Sequence, residues 1–213
     1  MTRLTLYTNP MSRGRIARWM LEEIGAPYDV EVIAYGPALR SAEYLAVNPM
    51  GKVPALKHGE TVVTECAAIC AYLADAFPEA KLAPSVQSRG AYYRWMFFAA
   101  GPLEAAVTNH SLGFQAKPGQ ERMLGYGSYG LVLETLAAAL SQTPFIAGDR
   151  FTAADVYVGS HLIWGMQFGS IAPRPVFEDY TGRLTSREAA KRANQLDDAL
   201  AAEQQGAAAS SAG

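Results

Sequence analysis

Asn48-Pro49-Met50-Gly51-Lys52-Val53-Pro54-Ala55-Leu56, followed by Thr64-Glu65-Cys66-Ala67-Ala68-Ile69, is the stretch from which the fold can be read. Asn48-Pro49 ends a short helical pattern that begins at Ser41, because the residue before a proline is driven out of helical dihedrals. Val53 to Lys57 and Glu60 to Val63 are short apolar runs about His58-Gly59, which predicts a hairpin. Helical spacing then returns from Glu65 to Phe77, with Ile69, Tyr72 and Leu73 inward, until Pro78 stops it. Upstream, Leu4, Leu6 and Thr8 alternate with Thr5, Tyr7 and Asn9, a strand closed by Pro10. From Ser12 the apolar positions Ile16, Ala17, Met20, Leu21 and Ile24 follow a helical period. Ser12 is the expected N-cap and Gly25 the C′ residue. Asp29 to Ile33 is a second strand.

The order β-α-β-α-β-β-α is the thioredoxin-like one. A strand, helix and strand at this spacing form a right-handed parallel crossover, and the hairpin adds antiparallel strands. The fold class is therefore α/β plus all-α, because past Pro78 nothing reads as a strand. Helical patterns cover 88–116, 119–140, 152–168, 175–184 and 187–203. The expected organisation is a thioredoxin-like domain over 1–80, a linker over 81–87, a helical-bundle domain over 88–203, and a disordered tail over 204–213, where Gly, Ala, Ser and Gln dominate. The chain has 213 residues, 18 Lys+Arg against 20 Asp+Glu, and 50% apolar residues. That balance lacks the strong positive field of a nucleic-acid binder. Two cysteines make no disulfide framework, and no apolar leader precedes Asn9-Pro10. The longest run without Asp, Glu, Lys or Arg, Val156 to Pro173, holds too many polar residues to span a bilayer. The expectation is a cytoplasmic protein without a membrane or nucleic-acid partner.

Two pieces carry chemistry. An X-Pro bond at Val53-Pro54 is a good place for a cis peptide. Such a bond would leave the Val53 N–H and C=O as a free edge for an extended peptide. Glu65 and Cys66 open a helix, whose unsatisfied N–H groups attract a carboxylate while Glu65 accepts an ammonium. Together they suit a peptide carrying an α-amino and an α-carboxylate group at one end. Each piece alone has a plainer reading: a turn before a strand, and an acid complementing a helix dipole.

The chain resembles a cytosolic glutathione transferase of the bacterial, theta-like serine type. The resemblance rests on Leu6-Tyr7 followed by Ser12-Arg13, on Arg18-Trp19-Met20-Leu21-Glu22-Glu23, and on the Asn48–Leu56 run. It rests also on Glu65 with its neighbour, and on Ala147-Gly148-Asp149-Arg150-Phe151-Thr152-Ala153-Ala154-Asp155. It implies glutathione as cosubstrate with no metal, extended along Val53 and Pro54, its γ-glutamyl end at Glu65 and Cys66. Lys52 approaches the glycine carboxylate in that scheme, or else is a solvated turn lysine. The implied reaction is conjugation of the glutathione thiolate to a hydrophobic electrophile by a homodimeric enzyme. The alternatives are another glutathione-dependent reaction (peroxidase, dehalogenase or isomerase) or a non-catalytic binding protein on the same fold.

Ser12, five positions after Tyr7, is the implied catalytic residue, its hydroxyl donating to the thiolate; it is otherwise simply the N-cap. Tyr7 and Asn9 are the competitors. Lowering a thiol pKa from ~8.5 to ~6.5 takes about 2.7 kcal/mol. One hydrogen bond to a charged group supplies roughly 1.5–3 kcal/mol. The family usually has Ser where this chain has Cys66; a thiol donates weakly, so glutathione binding is expected to be weaker. The helix start is expected to make Cys66 more readily alkylated than Cys70. Thr152 and Asp155 form a capping-box variant with a folding role. His58, His110 and His161 have no metal-ligand spacing. Arg183, Arg187, Lys191 and Arg192 are expected on a solvated helix face.

Overall fold

The computed structural model describes residues 3–211. The chain divides into two compact units, Met1–Ala80 with Ser186–Gly213, and Lys81–Thr185. In the first unit β1 (Leu4–Thr8), α1 (Gly14–Ile24) and β2 (Asp29–Val32) form the crossover. They are followed by α2 (Ala42–Val47), β3 (Ala55–His58), β4 (Thr61–Thr64) and α3 (Cys66–Ala76). Among the described residues the sheet has four strands in the order β2-β1-β3-β4. β1 and β2 are parallel, in register from Thr5↔Asp29 to Thr8↔Val32. β3 runs antiparallel to β1, with Tyr7 opposite Ala55, and to β4, with Ala55 opposite Thr64. This is the thioredoxin-like sheet that the element order predicts.

The alternation in β1 decides which face is covered. Leu4, Leu6 and Thr8 are buried, while Thr5 and Tyr7 are only half-buried. The core behind them is Ile16, Met20 and Leu21 of α1, Leu56 of β3, and Ile69 and Leu73 of α3. α1 ends as its sequence predicts, with the Gly25 N–H donating to the Leu21 carbonyl at 3.1 Å.

The second unit holds α4 (Gly90–Phe98), α5 (Glu104–Ser111), α6 (Tyr129–Leu140), α7 (Ala153–Gln167) and α8 (Pro175–Thr185). The continuous helix expected over 88–116 is broken by a π-helical turn, Ala99–Leu103, that contains Pro102. Pro102 has no N–H to donate, so the wider turn absorbs the missing bond. α6 starts ten residues later than its apolar spacing suggests, because Gly119, Gly125 and Gly127 keep the preceding segment in turns. The expected linker is packed too: Leu82 is buried, and its carbonyl accepts the Ala153 N–H at 2.8 Å. At α7 the capping box is present as predicted. Asp155 accepts from the Ile146 and Thr152 N–H groups at 2.7 and 2.8 Å and from the Tyr180 hydroxyl at 2.9 Å.

The last helix differs most from expectation. α9 (Glu188–Ser211) belongs to the first unit rather than the helical one. It packs antiparallel along α1 with Ala190 and Ala193 buried in the seam. Arg187 forks onto Glu23 at 2.7 and 2.6 Å, and Arg192 pairs with Glu22. Arg18 meets the fully buried Asp197 at 2.8 Å, and Arg15 meets Asp198 at 2.8 Å. Arg187 is therefore a docking residue, whereas Arg192 pairs with Glu22 while its side chain stays largely in solvent. The disordered tail expected over 204–213 is helical through Ser211, because the alanines that make it low in complexity are also the best helix formers. Residues 212 and 213 lie outside the described residues. No helix among those described is long and apolar enough to cross a membrane.

Candidate functional site

The segment between β1 and α1 is a compact loop built around Asn9. Its side chain is almost fully buried; Nδ2 donates to the Ile33 carbonyl at 3.0 Å and Oδ1 accepts from the Met11 N–H at 2.9 Å. Ser12 follows. Its hydroxyl donates to the Asn9 carbonyl at 2.7 Å and accepts from the Gly14 N–H at 2.9 Å. Ser12 is not the N-cap expected of it: α1 starts at Gly14, so Arg13 holds the cap position without a side-chain cap bond, and the Ser12 hydroxyl takes the Gly14 N–H from one residue earlier. Gly14 is needed there for space: a Cβ at this position would sit 1.9 Å from the buried Thr8 Oγ1. Arg15 closes the loop from below, donating to the Pro10 carbonyl at 2.6 Å while it holds Asp198 of α9.

The segment from α2 to β3 is equally well built. Asn48 is buried; its Oδ1 accepts from the Met50 N–H at 3.1 Å and its Nδ2 donates to the Lys52 carbonyl at 2.8 Å. The buried Tyr44 donates its hydroxyl to the same carbonyl at 2.6 Å. Burial, and then the neighbouring Tyr7 ring 6.0 Å away, push the Tyr44 hydroxyl up to about 12, so it stays a donor at any working pH. Gly51 takes a left-handed φ of 58°, and a Cβ there would meet the Leu39 carbonyl at 2.6 Å. The Lys52 side chain is exposed and Pro54 is buried behind it. The Val53-Pro54 bond is cis. Among the described residues no hydrogen bond uses the Val53 N–H or C=O. That is the free edge anticipated from the sequence.

Immediately past the end of the hairpin, the chain enters α3 through Glu65, whose φ of 67° is unusual for a residue with a Cβ. Glycine would sit there at lower cost, so Glu65 is held at a strained backbone position. Glu65 is exposed and caps nothing with its side chain. Cys66 turns the other way. It is 7% exposed, and its thiol donates to the Arg13 carbonyl at 3.6 Å. This contact brings the start of α3 against the Ser12–Arg13 turn, but it corrects the picture of Cys66 as an accessible side chain.

The sequence profile for the glutathione S-transferase N-terminal domain matches residues 11–76. Glutathione S-transferase F10 of Arabidopsis thaliana is 30% identical over 168 residues, 72% of this chain and 76% of that protein. The chain belongs to the glutathione S-transferase family. Glutathione S-transferase GstA of Escherichia coli O157:H7 is 34% identical over 125 residues, 57% of this chain; the match spans 61% of that relative's length. A sphingomonad glutathione S-transferase, solved in complex with glutathione, superposes with a TM-score of 0.73 at 26% identity. That superposition covers 91% of this chain and 98% of the other.

Within this family member the predicted positions divide into two groups. Val53, Glu65 and Lys52 present unused or exposed groups, whereas the half-buried Ser12 hydroxyl and both ends of the Asn9 amide are committed to the loop. Tyr7 is half-buried against Tyr44. Sequence reasoning missed Tyr44 and Asn48. Asn48-Pro49 was legible as a helix end, and an Asn at such an end is a common donor to the following turn, which was the available signal. The histidines are engaged separately: His58 with the Tyr72 hydroxyl at 2.9 Å, His110 stacked on Tyr129, and His161 3.7 Å from Glu104.

Proposed function

We propose that this protein binds glutathione along Val53 and activates its thiol for attack on a hydrophobic electrophile. The observation that carries the reading is the pair of unused Val53 backbone groups, next to a strained, exposed Glu65 at a helix start. An extended peptide gains two main-chain bonds at Val53. Its γ-glutamyl ammonium meets Glu65, and its γ-glutamyl carboxylate meets the first-turn N–H groups of α3. Lys52 faces the glycine carboxylate.

Ser12 is the proposed thiolate donor. To serve the sulfur, its hydroxyl proton leaves the Asn9 carbonyl, giving up about 0.5–1.5 kcal/mol against a gain of roughly 1.5–3. The net of about 1–1.5 kcal/mol lowers the thiol pKa by about one unit, with roughly 0.3–1 kcal/mol more from the start of α1. A bound thiol titrating near ~7 follows, higher than Ser12 would give without its Asn9 bond. The thiolate then attacks an electron-poor carbon. The S–C bond forms as a leaving group departs with its electron pair, or as a polarised double bond takes up a proton. Holding the two reactants together supplies the rest of the acceleration. Homodimeric assembly, supported by the exposed Tyr93 and Phe97 of α4, and a cytoplasmic setting belong to the same proposal.

Calorimetry with glutathione, followed by turnover across halide, epoxide, enone and peroxide substrates, tests it. Binding with turnover confined to peroxides replaces conjugation by reduction; binding with no turnover favours a binding protein. Absence of binding overturns the proposal.

A further inference from the structure

The Lys52 carbonyl is the acceptor of two buried side-chain donors, the Tyr44 hydroxyl at 2.6 Å and the Asn48 amide at 2.8 Å. That carbonyl and the Val53 N–H are the two ends of one peptide group. The peptide is trans, since Val53-Pro54 is the cis bond recorded among the described residues. In a trans peptide the C=O and N–H point in opposite directions. Fixing the carbonyl inward therefore fixes the Val53 N–H outward, where no group of the protein receives it.

We infer that Tyr44 and Asn48 are positioning residues for the bound peptide: by gripping the Lys52 carbonyl they aim the Val53 N–H at the ligand. The inference rests on the reading that glutathione lies along Val53. The two donors occupy both lone pairs of the one carbonyl. A lone turn carbonyl at a half-exposed position would be satisfied by water, whereas two buried side chains remove the rotational freedom of the peptide plane. Asn48 does this without losing its other task, because Oδ1 holds the Met50 N–H while Nδ2 holds Lys52. Tyr44 adds a coupling to the sheet, its ring resting against Tyr7 of β1.

The test uses the full chain and reduced glutathione. Tyr44→Phe removes the hydroxyl and keeps the ring. Asn48→Asp keeps the acceptor for Met50 and replaces the donor that faces Lys52. Each change is expected to raise KM for glutathione about threefold, and the pair together about tenfold or more, with kcat within about twofold. A general loosening would instead lower kcat and the melting temperature together. The amide resonance of Val53 is the second readout. In the wild type, glutathione should shift it strongly; in the double variant it should already be displaced and broadened without ligand. If glutathione binds the wild type and leaves the Val53 amide unmoved, the reading of the site fails and the inference with it. If the wild-type amide moves but both variants keep their affinity and their Val53 resonance, the positioning role alone is overturned. Should Asn48→Asp fail to fold, Tyr44→Phe decides the question by the same two readouts.

Discussion

The surroundings of Asp155 and of Val53 are both dense in hydrogen-bonding groups, and they are opposites. Around Asp155 the carboxylate is fully buried, and two amides, the Thr152 hydroxyl and the Tyr180 hydroxyl converge on its two oxygens. Burial pushes this carboxyl up, and the converging donors pull it back toward the charged form. Around Val53 the scaffold is as fully bonded, through Tyr44, Asn48 and Met50, yet it ends in two backbone groups with nothing to bind. A closed polar cluster holds a fold together. A closed scaffold supporting an open edge is what a binding site needs, since an unsatisfied group is tolerable only where water or a ligand reaches it.

Removing the closed cluster should have the largest effect. Asp155→Ala orphans several buried donors and is expected to cost about 3–5 kcal/mol of stability, a fall of about 10 °C or more in melting temperature. Turnover per folded molecule should be unchanged; a specific loss of turnover would erase the contrast. At the open site, Ser12→Ala is expected to cost ten- to a hundredfold in turnover, ~1.4–2.7 kcal/mol, and to raise the bound thiol pKa by about one unit. Tyr7→Phe should do less in both respects, and pH-dependent thiolate absorbance with turnover on both variants ranks them.

Glu65→Gly is the sharpest comparison of the two kinds of order. Glycine relieves the left-handed strain, worth about 1–3 kcal/mol, against an entropic cost of about 0.5–1, so melting temperature should hold or rise. Glutathione affinity should fall about fivefold, the ~1 kcal/mol of an exposed ion pair. A drop in stability would make Glu65 part of the closed scaffold after all. The smallest effect is expected at Cys66. With its thiol on the Arg13 carbonyl, Cys66→Ser should change glutathione affinity by less than about threefold. Alkylation of the native protein should be slow with or without ligand. Tenfold tighter binding would mean that residue 66 reaches the peptide.

How far each region could be read from the sequence follows from where its partners lie. The elements of the sheet were legible because their signals are local: alternation at Leu4, Leu6 and Thr8, Ser41 before α2, Gly25 after α1, Pro78 after α3. Val53-Pro54 and Glu65 were legible because a proline beside a strand and an acid at a helix start carry their meaning within a few residues. The Thr152–Asp155 box was legible for the same reason. The direction of the Cys66 thiol was not, since it depends on a carbonyl 53 positions away. Tyr44 carries no local signal of its role, because only the folded loop brings the Lys52 carbonyl to its hydroxyl. The home of α9 was least legible. Arg187 and Arg192 choose Glu23 and Glu22 across 164 and 170 residues, and no periodicity within 187–203 distinguishes that choice from solvent.

The α1–α9 seam also sets an order in time. Synthesis runs from the N-terminus, and domains as a rule close as they emerge. Here the sheet and α1 leave the ribosome first, yet the face that carries Arg18 waits for Asp197, which is translated only after the whole second unit. A nascent chain halted near residue 185 would hold a formed sheet with an unsheltered charged flank, and the unit begun before the other would be completed after it.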